Sequence, residues 1–333
     1  MKIHFYKASM GDCFLLDFEN EHNTKFVIDT GTKTAFQDNI LEELKKEIIT
    51  GNSHLFVTHI DDDHIGGLLY LCKYEPDILK SFKCVYYNSF DCLKSFSPDS
   101  QDPPPKIIIQ DDSEGFTSYK NGKKLESFLD SLDINLISQI KALNTINIDD
   151  IAITFLSPSI KTLKKYKTWI ENNSAYTALN NDYNKSIEDL SKKEFTEDDS
   201  ETNGSSISML IEYKDYKMLF LGDSFPTDIV NSLKILNYSK ENKLKVDLTK
   251  ISHHGSRKNT SNELLELIKC RKFLISTDGK QHYHPDKESL SRIICSQERP
   301  CLIFNYDVYN KIFSKEELSQ NLFYIEERTE VIL

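Results

Sequence analysis

The chain has 333 residues, of which 39% are hydrophobic, 28% charged and 11% aromatic. This composition indicates a globular protein with one large or two ordinary domains and excludes an intrinsically disordered chain. No apolar run approaches the roughly 18 residues of a membrane span, so no membrane association is expected. The N-terminus lacks the order of a secretory signal, and the seven cysteines form no CxxC pair. We therefore expect a cytoplasmic protein with reduced thiols.

The 41 basic and 52 acidic residues give a net charge of −11, with histidine neutral. Such a charge disfavours indiscriminate binding of nucleic acid, because the phosphate backbone attracts basic surfaces. It does not exclude an acidic pocket that binds phosphate through divalent ions, since bound cations reverse the local sign of the charge.

The first third of the chain alternates strand and helix patterns. Short apolar runs predict strands, at Ile3–Tyr6, Phe14–Phe18, Lys25–Ile28 and Leu55–Thr58. Apolar residues at helical spacing predict a helix over Phe36–Ile49 that stops before Gly51. A second, short helix is expected to end near Pro76.

The middle of the chain has a different composition. Residues 97–122 are rich in Pro, Asp, Ser and Gly, and residues 171–205 in Asn, Ser, Asp and Glu, which predicts loops. We interpret about 97–200, with helices and one strand at Ile151–Leu156, as an insertion or lid within a single domain of residues 1–333. Strands resume afterwards, at Ile207–Tyr213, Lys217–Leu221, Val246–Ile251 and Phe273–Ser276.

Three predicted strands stop at a polar residue of a type that binds metal ions. These residues are His59, Asp223 and His253. In layered α/β folds functional sites gather at the ends of strands, so we expect the three to lie close together.

The densest signal is the sequence His59-x-Asp61-x-Asp63-His64, followed by Gly66 and Gly67. Two imidazoles and three carboxylates on one turn are costly to fold unless a cation offsets their repulsion. The glycines are expected to permit the backbone turn and a close approach. A solvated acidic loop with a capping histidine is the alternative, but the polar ends of the two later strands favour a metal site.

Five motifs occur in the order of the metallo-β-lactamase superfamily, and the chain resembles that superfamily. They are Met10–Leu16, Phe26–Gly31, Thr58–Gly67, Leu219–Asp223 and Ile251–Ser256. Within it the chain looks most similar to the ComEC-type nuclease domain of bacterial DNA-uptake proteins, which also has Asp at the third motif position and an element like Tyr283-His284-Pro285. The resemblance covers about 1–96 and 203–295. It implies an α/β fold, the αβ/βα sandwich of two mixed β-sheets flanked by helices, with a large helical and loop insertion.

The resemblance also implies a site for two divalent metal ions. His59 and Asp61 would bind one ion, Asp63, His64 and His253 the other, and Asp223 would bridge them. His253 is preferred to His254 because it follows its strand as His59 does, but His254 remains open as the ligand or as a proton donor. Asp29 would orient a ligand from behind; a turn-capping role for it is equally open.

Two departures from the superfamily pattern affect the metal. Asp61 stands where a second histidine is usual, and Thr202–Ser206 stands where a further histidine is expected. Asn203 in that segment is a candidate oxygen ligand or substrate contact, with an ordinary loop asparagine as the alternative. Oxygen ligands favour Mn²⁺ and permit Mg²⁺, whereas His64 and His253 suit Zn²⁺.

We expect a phosphodiesterase, most plainly a nuclease that cleaves DNA, because two ions acidify a bound water and neutralise phosphate oxygens. Asp63 or Asp223 would steer the proton of the attacking water, and His254 or His284 would protonate the leaving oxygen. Arg257 and Lys258 would neutralise a phosphate, unless they are simply solvated. The alternatives are hydrolysis of a small phosphoester or cyclic nucleotide, and a metal-poor scaffold in a larger, defence-type assembly with a protein partner.

Overall fold

The computed structural model describes residues 1–89, 117–172, 181–280 and 282–333, with the backbone alone at 117 and 168–172. Residues 97–116 and 173–180 of the two predicted loops, 97–122 and 171–205, therefore lie outside the described residues. The prediction of loops is wrong where the described residues are helical, at 117–122, 171–172, Ile187–Ser191 and Glu201–Gly204. No described helix is both long enough and apolar enough to cross a bilayer.

The described residues form strands along the whole chain. In chain order they are β1 Lys2–Phe5, β2 Phe14–Asp17, β3 Thr24–Ile28, β4 Asn52–Phe56, β5 Cys84–Tyr86, β6 Leu136–Ile137, β7 Thr145–Ile148, β8 Ile151–Ser157, β9 Ser208–Tyr213, β10 Tyr216–Phe220, β11 Leu244–Val246, β12 Leu248–Lys250, β13 Ile268–Cys270, β14 Lys272–Ile275, β15 Cys301–Phe304, β16 Tyr324–Glu327 and β17 Glu330–Ile332.

Two large mixed sheets hold most of these strands. The first has the order β17-β1-β2-β3-β4-β5-β6 and is antiparallel as far as β3 and parallel from there on. The second has the order β16-β15-β14-β12-β10-β9-β8-β7 and is parallel from β16 to β10 and antiparallel beyond it. Strands β11 and β13 form a separate parallel pair.

Helices connect the strands. They are α1 Lys33–Ala35, which continues through the π-helical turn Phe36–Ile40 into α2 Leu41–Ile49, then α3 Asp62–Tyr74, α4 Pro76–Leu79, α5 Thr117–Ser131, α6 Ile160–Asn172, α7 Ile187–Ser191, α8 Glu201–Gly204, α9 Pro226–Ile235, α10 Asn262–Leu267, α11 Lys287–Ser296, α12 Tyr309–Ile312 and α13 Lys315–Ser319. A 3₁₀ turn spans Ser252–Gly255.

The side chains of each sheet alternate between two apolar layers. In β2, Phe14 and Leu16 enter the core between the two sheets, whereas Leu15 packs toward the helices that cover the first sheet. In β10, Phe220 faces the other sheet and Leu219 faces the helices of the second. This two-faced burial, expected of sheets covered on both sides, confirms the predicted sandwich of two mixed sheets flanked by helices.

One predicted strand is wrong, and the middle segment holds more strand than expected. The run Val246–Ile251 is not one strand, because the chain leaves the β11–β13 pair at Val246 and enters the second sheet at Leu248. Residues 117–172 contribute β6 to the edge of the first sheet and β7 and β8 to the edge of the second. Their role as a lid stays a prediction.

Candidate metal centre

The residues expected to form a site follow strands whose ends lie at one edge of the sheets. His59 follows β4 and Asp29 follows β3, its parallel neighbour. Asp223 follows β10, and His253 and His254 follow β12, the parallel neighbour of β10. Parallel neighbours end on the same side, so side chains from distant parts of the chain meet there.

The turn between β4 and α3 positions the first two imidazoles. His64 is fully buried, and its Nδ1 lies 2.8 Å from a carboxylate oxygen of Asp29. Asp29 also accepts hydrogen bonds from the backbone N–H and the hydroxyl of Thr58, which fix its position. The Thr58 hydroxyl lies 3.0 Å from His59 Nδ1. Both rings are therefore held at Nδ1, and their Nε2 atoms face Asp223 at 3.5 Å from His64 and 3.9 Å from His59.

The two consecutive histidines after β12 have different neighbours. Both adopt left-handed backbone, with φ of 47° at His253 and 51° at His254, and their ring planes differ by 75°. His254 is held at Nδ1 by the carbonyl oxygen of Ser276 at 2.9 Å. Its Nε2 lies 3.4 Å from Asp63 and 3.7 Å from Asp223. The structure thus places His254 beside Asp63, where the sequence favoured His253.

His253 turns toward another part of the centre. Its Nε2 lies 3.7 Å from Asp223, while its Nδ1 lies 3.2 Å from the Asn203 amide nitrogen and 3.1 Å from the Asn259 amide oxygen. Asp61 lies 3.5 Å from His59 Nε2 and accepts a hydrogen bond from the Thr202 hydroxyl. Asp223 thus contacts four imidazoles, those of His59, His64, His253 and His254.

Several polar atoms at the centre are buried without a hydrogen-bond partner among the described residues. They are Nε2 of His59, His64 and His254, and Oδ1 of Asp223. A buried polar atom left unpaired costs about 1–3 kcal/mol, so a cluster of them calls for a missing partner. The three histidines are held at Nδ1 and direct Nε2 toward Asp223, so these atoms are placed as the ligands of a metal ion would be.

The spacing of these atoms fits divalent metal. The nitrogen-to-carboxylate distances of 3.4–3.9 Å are too long for good hydrogen bonds. Two ligand atoms about 2.0–2.2 Å from one tetrahedral ion lie about 3.3–3.6 Å apart. Asp12, His64, Asp223 and His254 each offer a ligand atom, and these atoms lie within 4.8 Å of one another. The buried cluster therefore fits a metal site.

The charged groups of the centre shift one another's pKa values. Burial alone raises the pKa of Asp223, but His64, His253 and His254 hold it well below its usual range. Burial lowers the pKa of His254, whereas Asp12 and Asp223 raise it to about 10. Without a cation the imidazole of His254 thus holds a proton that balances the neighbouring carboxylates, and a metal ion must displace it.

A comparison with protein-family models gives one match. Residues 6–118 match the model of the metallo-beta-lactamase superfamily, and they contain Asp12, Asp29 and the whole of the His59–His64 motif. The match covers only the first part of the chain, and the two mixed sheets flanked by helices are consistent with the fold of that superfamily. No curated protein matches the chain.

Solved structures resemble the chain over its full length, at low identity. Zn²⁺-bound PqqB from Methylobacterium extorquens is 10% identical with a TM-score of 0.46, and each chain is covered to 100%. The metallo-beta-lactamase fold protein YhfI from Bacillus subtilis is 10% identical (98% of this chain, 95% of that one, TM-score 0.42). A diphosphatase of the PhnP family is 9% identical (99% and 97%, TM-score 0.43). At TM-scores below 0.5 these likenesses carry no weight for function.

Asp12 and Lys250 form a buried ion pair beside the centre that the sequence analysis missed. Each is 1% exposed, and the Lys250 ammonium contacts the Asp12 carboxylate. Lys250 also donates a hydrogen bond to the Gly222 carbonyl oxygen and lies 3.9 Å from Asp223. Burial raises the pKa of Asp12, but Lys250 and His254 hold it at about 2. A lysine at the end of an apolar strand was the available signal.

The side-chain nitrogen of Asn203 has hydrogen-bond partners, whereas its side-chain oxygen has none among the described residues. The side-chain amide donates a hydrogen bond to Asp198 at 2.7 Å, and its nitrogen lies near His253. Its Oδ1 is buried without a partner among the described residues, as a candidate oxygen ligand would be. Asp198 lies in the acidic segment that the sequence indicated only as a loop.

The two cations after the histidine pair are already matched with carboxylates. The Arg257 guanidinium and backbone N–H both contact Asp286, and Lys258 donates to Asp199 at 3.0 Å. Their predicted contact with substrate stays a prediction.

His284 lies at the rim of the centre. Its ring centroid is 5.0 Å from that of His253, and its Nδ1 has no hydrogen-bond partner among the described residues. Burial, and then the positive charges of His253 and His254, hold the pKa of His284 well below its ordinary value.

The paired glycines serve helix packing, not the turn that we expected. Both lie within α3. A Cβ at Gly66 would come within 2.4 Å of the Lys33 backbone nitrogen, and one at Gly67 within 2.4 Å of the Phe36 ring. They let α3 approach α1 closely, and this contact fixes the helix that carries Asp63 and His64.

Proposed function

We propose that the chain is a metal-dependent phosphodiesterase that cleaves DNA with two divalent ions, Mn²⁺ or Zn²⁺. The observation that carries the proposal is the convergence of unpaired imidazole nitrogens on Asp223. The donor set supports phosphate chemistry. Asp61, Asp63 and the unpaired side-chain oxygen of Asn203 are oxygen ligands that suit Mn²⁺, and Mn²⁺ in turn binds phosphate oxygens.

Two bound ions would supply Lewis acidity toward the phosphoryl oxygens and acidify the attacking water. The chain's own residues keep the ligands in place for this. Asp29 holds His64, and the Ser276 carbonyl oxygen holds His254, each at Nδ1. His284 lies outside this set, against His253, and the low pKa of its ring does not suit the proton donation that the sequence led us to expect.

The proposal is tested on purified protein incubated with Mn²⁺ and supercoiled plasmid, with single-stranded DNA and RNA in parallel. We expect cleavage of DNA that a chelator stops and that fresh Mn²⁺ restores. Asp63→Ala is expected to abolish it, because Asp63 lies 3.4 Å from His254 at the centre. Asp77→Ala, a change at an exposed acid on α4, is the matched control.

The same assay distinguishes the alternatives. Turnover confined to mononucleotides or small diesters would show that the substrate is a small phosphoester and not DNA. Protein that binds less than one equivalent of metal and hydrolyses no ester would identify a scaffold and overturn the proposal. If the Asp63→Ala variant is as active as the unmodified chain, Asp63 is not part of the catalytic centre.

A further inference from the structure

A group of lysines and tyrosines surrounds a cavity that borders the proposed metal motif. The cavity measures about 330 Å³, and its walls include Asp62 and Gly66 of the first turns of α3. We call Lys33, Lys73, Lys124, Tyr70 and Tyr74, which also line it, the lysine–tyrosine patch. It extends along α3 from the metal motif to the last residue of that helix, over roughly 18 Å at the rise of an α-helix.

The three lysines of the patch have no acidic partner in the described part of the chain. Lys33, Lys73 and Lys124 are exposed, and no carboxylate of the described residues forms an ion pair with any of them. The one acid in the cavity wall, Asp62, accepts a hydrogen bond from Asn121 instead. In a chain with a net charge of −11, three cations around one cavity without a described acidic partner are unusual. They form a local site for an anion.

The aromatic rings lie among these cations. Tyr74 is 49% exposed, its ring centroid is 5.0 Å from that of Tyr70, and the ammonium groups of Lys73 and Lys33 lie 4.7 and 5.8 Å from its centre. Lys73 lowers the pKa of Tyr74, and Lys33 and Lys124 lower it further, so all three charges act at one ring. Flexible lysines that turn toward phosphates would leave this ring free to stack on a base.

We infer that the lysine–tyrosine patch binds single-stranded nucleic acid beside the metal centre, with phosphates on Lys33, Lys73 and Lys124 and a base on Tyr74. The choice of a nucleic acid rests on the proposed function. Lysines interleaved with exposed aromatic rings are the combination that tracks a single strand without reading its sequence. The patch follows the helix that carries Asp63 and His64, so it would lead a strand toward the centre.

The test measures binding without catalysis. Chelator-treated protein is titrated into a fluorescently labelled single-stranded oligonucleotide, and anisotropy is followed over a series of salt concentrations. The variant Lys33→Ala/Lys73→Ala/Lys124→Ala is compared with Lys245→Ala/Lys269→Ala/Lys315→Ala, which removes three exposed lysines from β11, β13 and α13. Tyr74→Leu tests the stacking, and polyglutamate serves as a competing polyanion without bases.

We expect the triple-lysine patch variant to bind every oligonucleotide more weakly than the unmodified chain does, whatever the base sequence. The slope of log affinity against log salt should fall by about 2, because each phosphate contact with a single strand contributes about 0.7. Tyr74→Leu should weaken binding about fivefold or more without changing that slope. The control variant should keep the slope and affinity of the unmodified chain.

Equal slopes in the patch and control variants would overturn the inference, as would polyglutamate competing as well as the oligonucleotide. A melting temperature close to that of the unmodified chain would show that each variant is folded. If the unmodified chain binds the strand through the patch but hydrolyses no phosphodiester, the proposed function fails while the patch stands.

Discussion

His64 and Asp29 lie 35 residues apart in sequence, yet their side chains meet at 2.8 Å in a fully buried contact. Asp29 directly follows the strand β3, and His64 lies in the first turn of α3, which follows the neighbouring parallel strand β4. The carboxylate fixes Nδ1 of the imidazole and so directs Nε2 to Asp223. This pair links the sheet to the metal centre.

Asp29→Asn should weaken metal binding. The amide cannot supply the negative charge that holds His64 Nδ1, and the loss of such a partner typically lowers metal affinity or activity about 10–100-fold. Titration of the chelator-treated protein with Mn²⁺ in a calorimeter measures this change. Asp38→Asn, on the exposed side of the helical segment after β3, is the control. Unchanged affinity in Asp29→Asn would show that the contact does not position a ligand.

His254→Ala should lower the metal content by about one ion per chain, because His254 is the histidine beside Asp63 and Asp223. Mass spectrometry of the purified protein after loading and desalting counts the ions. His22→Ala, at an exposed histidine, should leave the count unchanged. A full complement of metal in His254→Ala would return the ligand role to His253.

Addition of Mn²⁺ or Zn²⁺ to the chelated protein should raise its melting temperature by several degrees. Ligand at about 100 times its dissociation constant stabilises a folded protein by about 2.7 kcal/mol. The buried Nε2 atoms, which lack partners among the described residues, gain them at the same time. Thermal denaturation with and without metal measures the shift, and His64→Ala protein should show a smaller one. Identical melting curves in all these conditions would argue against a folded metal site.

Lys250→Met should destabilise the chain more than Lys250→Met combined with Asp12→Asn. Removal of one partner leaves a buried charge uncompensated, which costs about 3–5 kcal/mol, whereas removal of both leaves none. Urea denaturation of the two single variants and the double variant gives the coupling between them. Additive effects would mean that the ion pair contributes nothing as a pair.

Gly11→Ala should displace Asp63 and reduce both stability and metal binding. A Cβ on Gly11 would come within 1.8 Å of the Asp63 carbonyl oxygen, so the backbone of the metal motif must move. Overpacking of this kind costs about 1–3 kcal/mol or more. Gly51→Ala, whose nearest contact would be 3.1 Å, is the milder comparison. Equal melting temperatures for the two variants would contradict the prediction.

The resemblance to a known superfamily implies the sandwich, and the apolar runs predict the strand ends that carry His59 and Asp223, because motifs and apolar runs are local properties of the sequence. The sequence does not show which of His253 and His254 lies beside Asp63, because two consecutive residues share one local pattern. Their rings point in different directions only because the backbone there is left-handed. The sequence also misses the pairing of Asp12 with Lys250, which are 238 positions apart and meet only through the packing of the two sheets. Partners distant in sequence leave no local signal.

The most direct test of a two-ion centre is anomalous diffraction from crystals grown with Mn²⁺. We expect two peaks near Asp223, one beside Asp63, His64 and His254 and one beside His59 and Asp61. Density that shows these side chains in place around Asp223 without an anomalous peak would contradict the account.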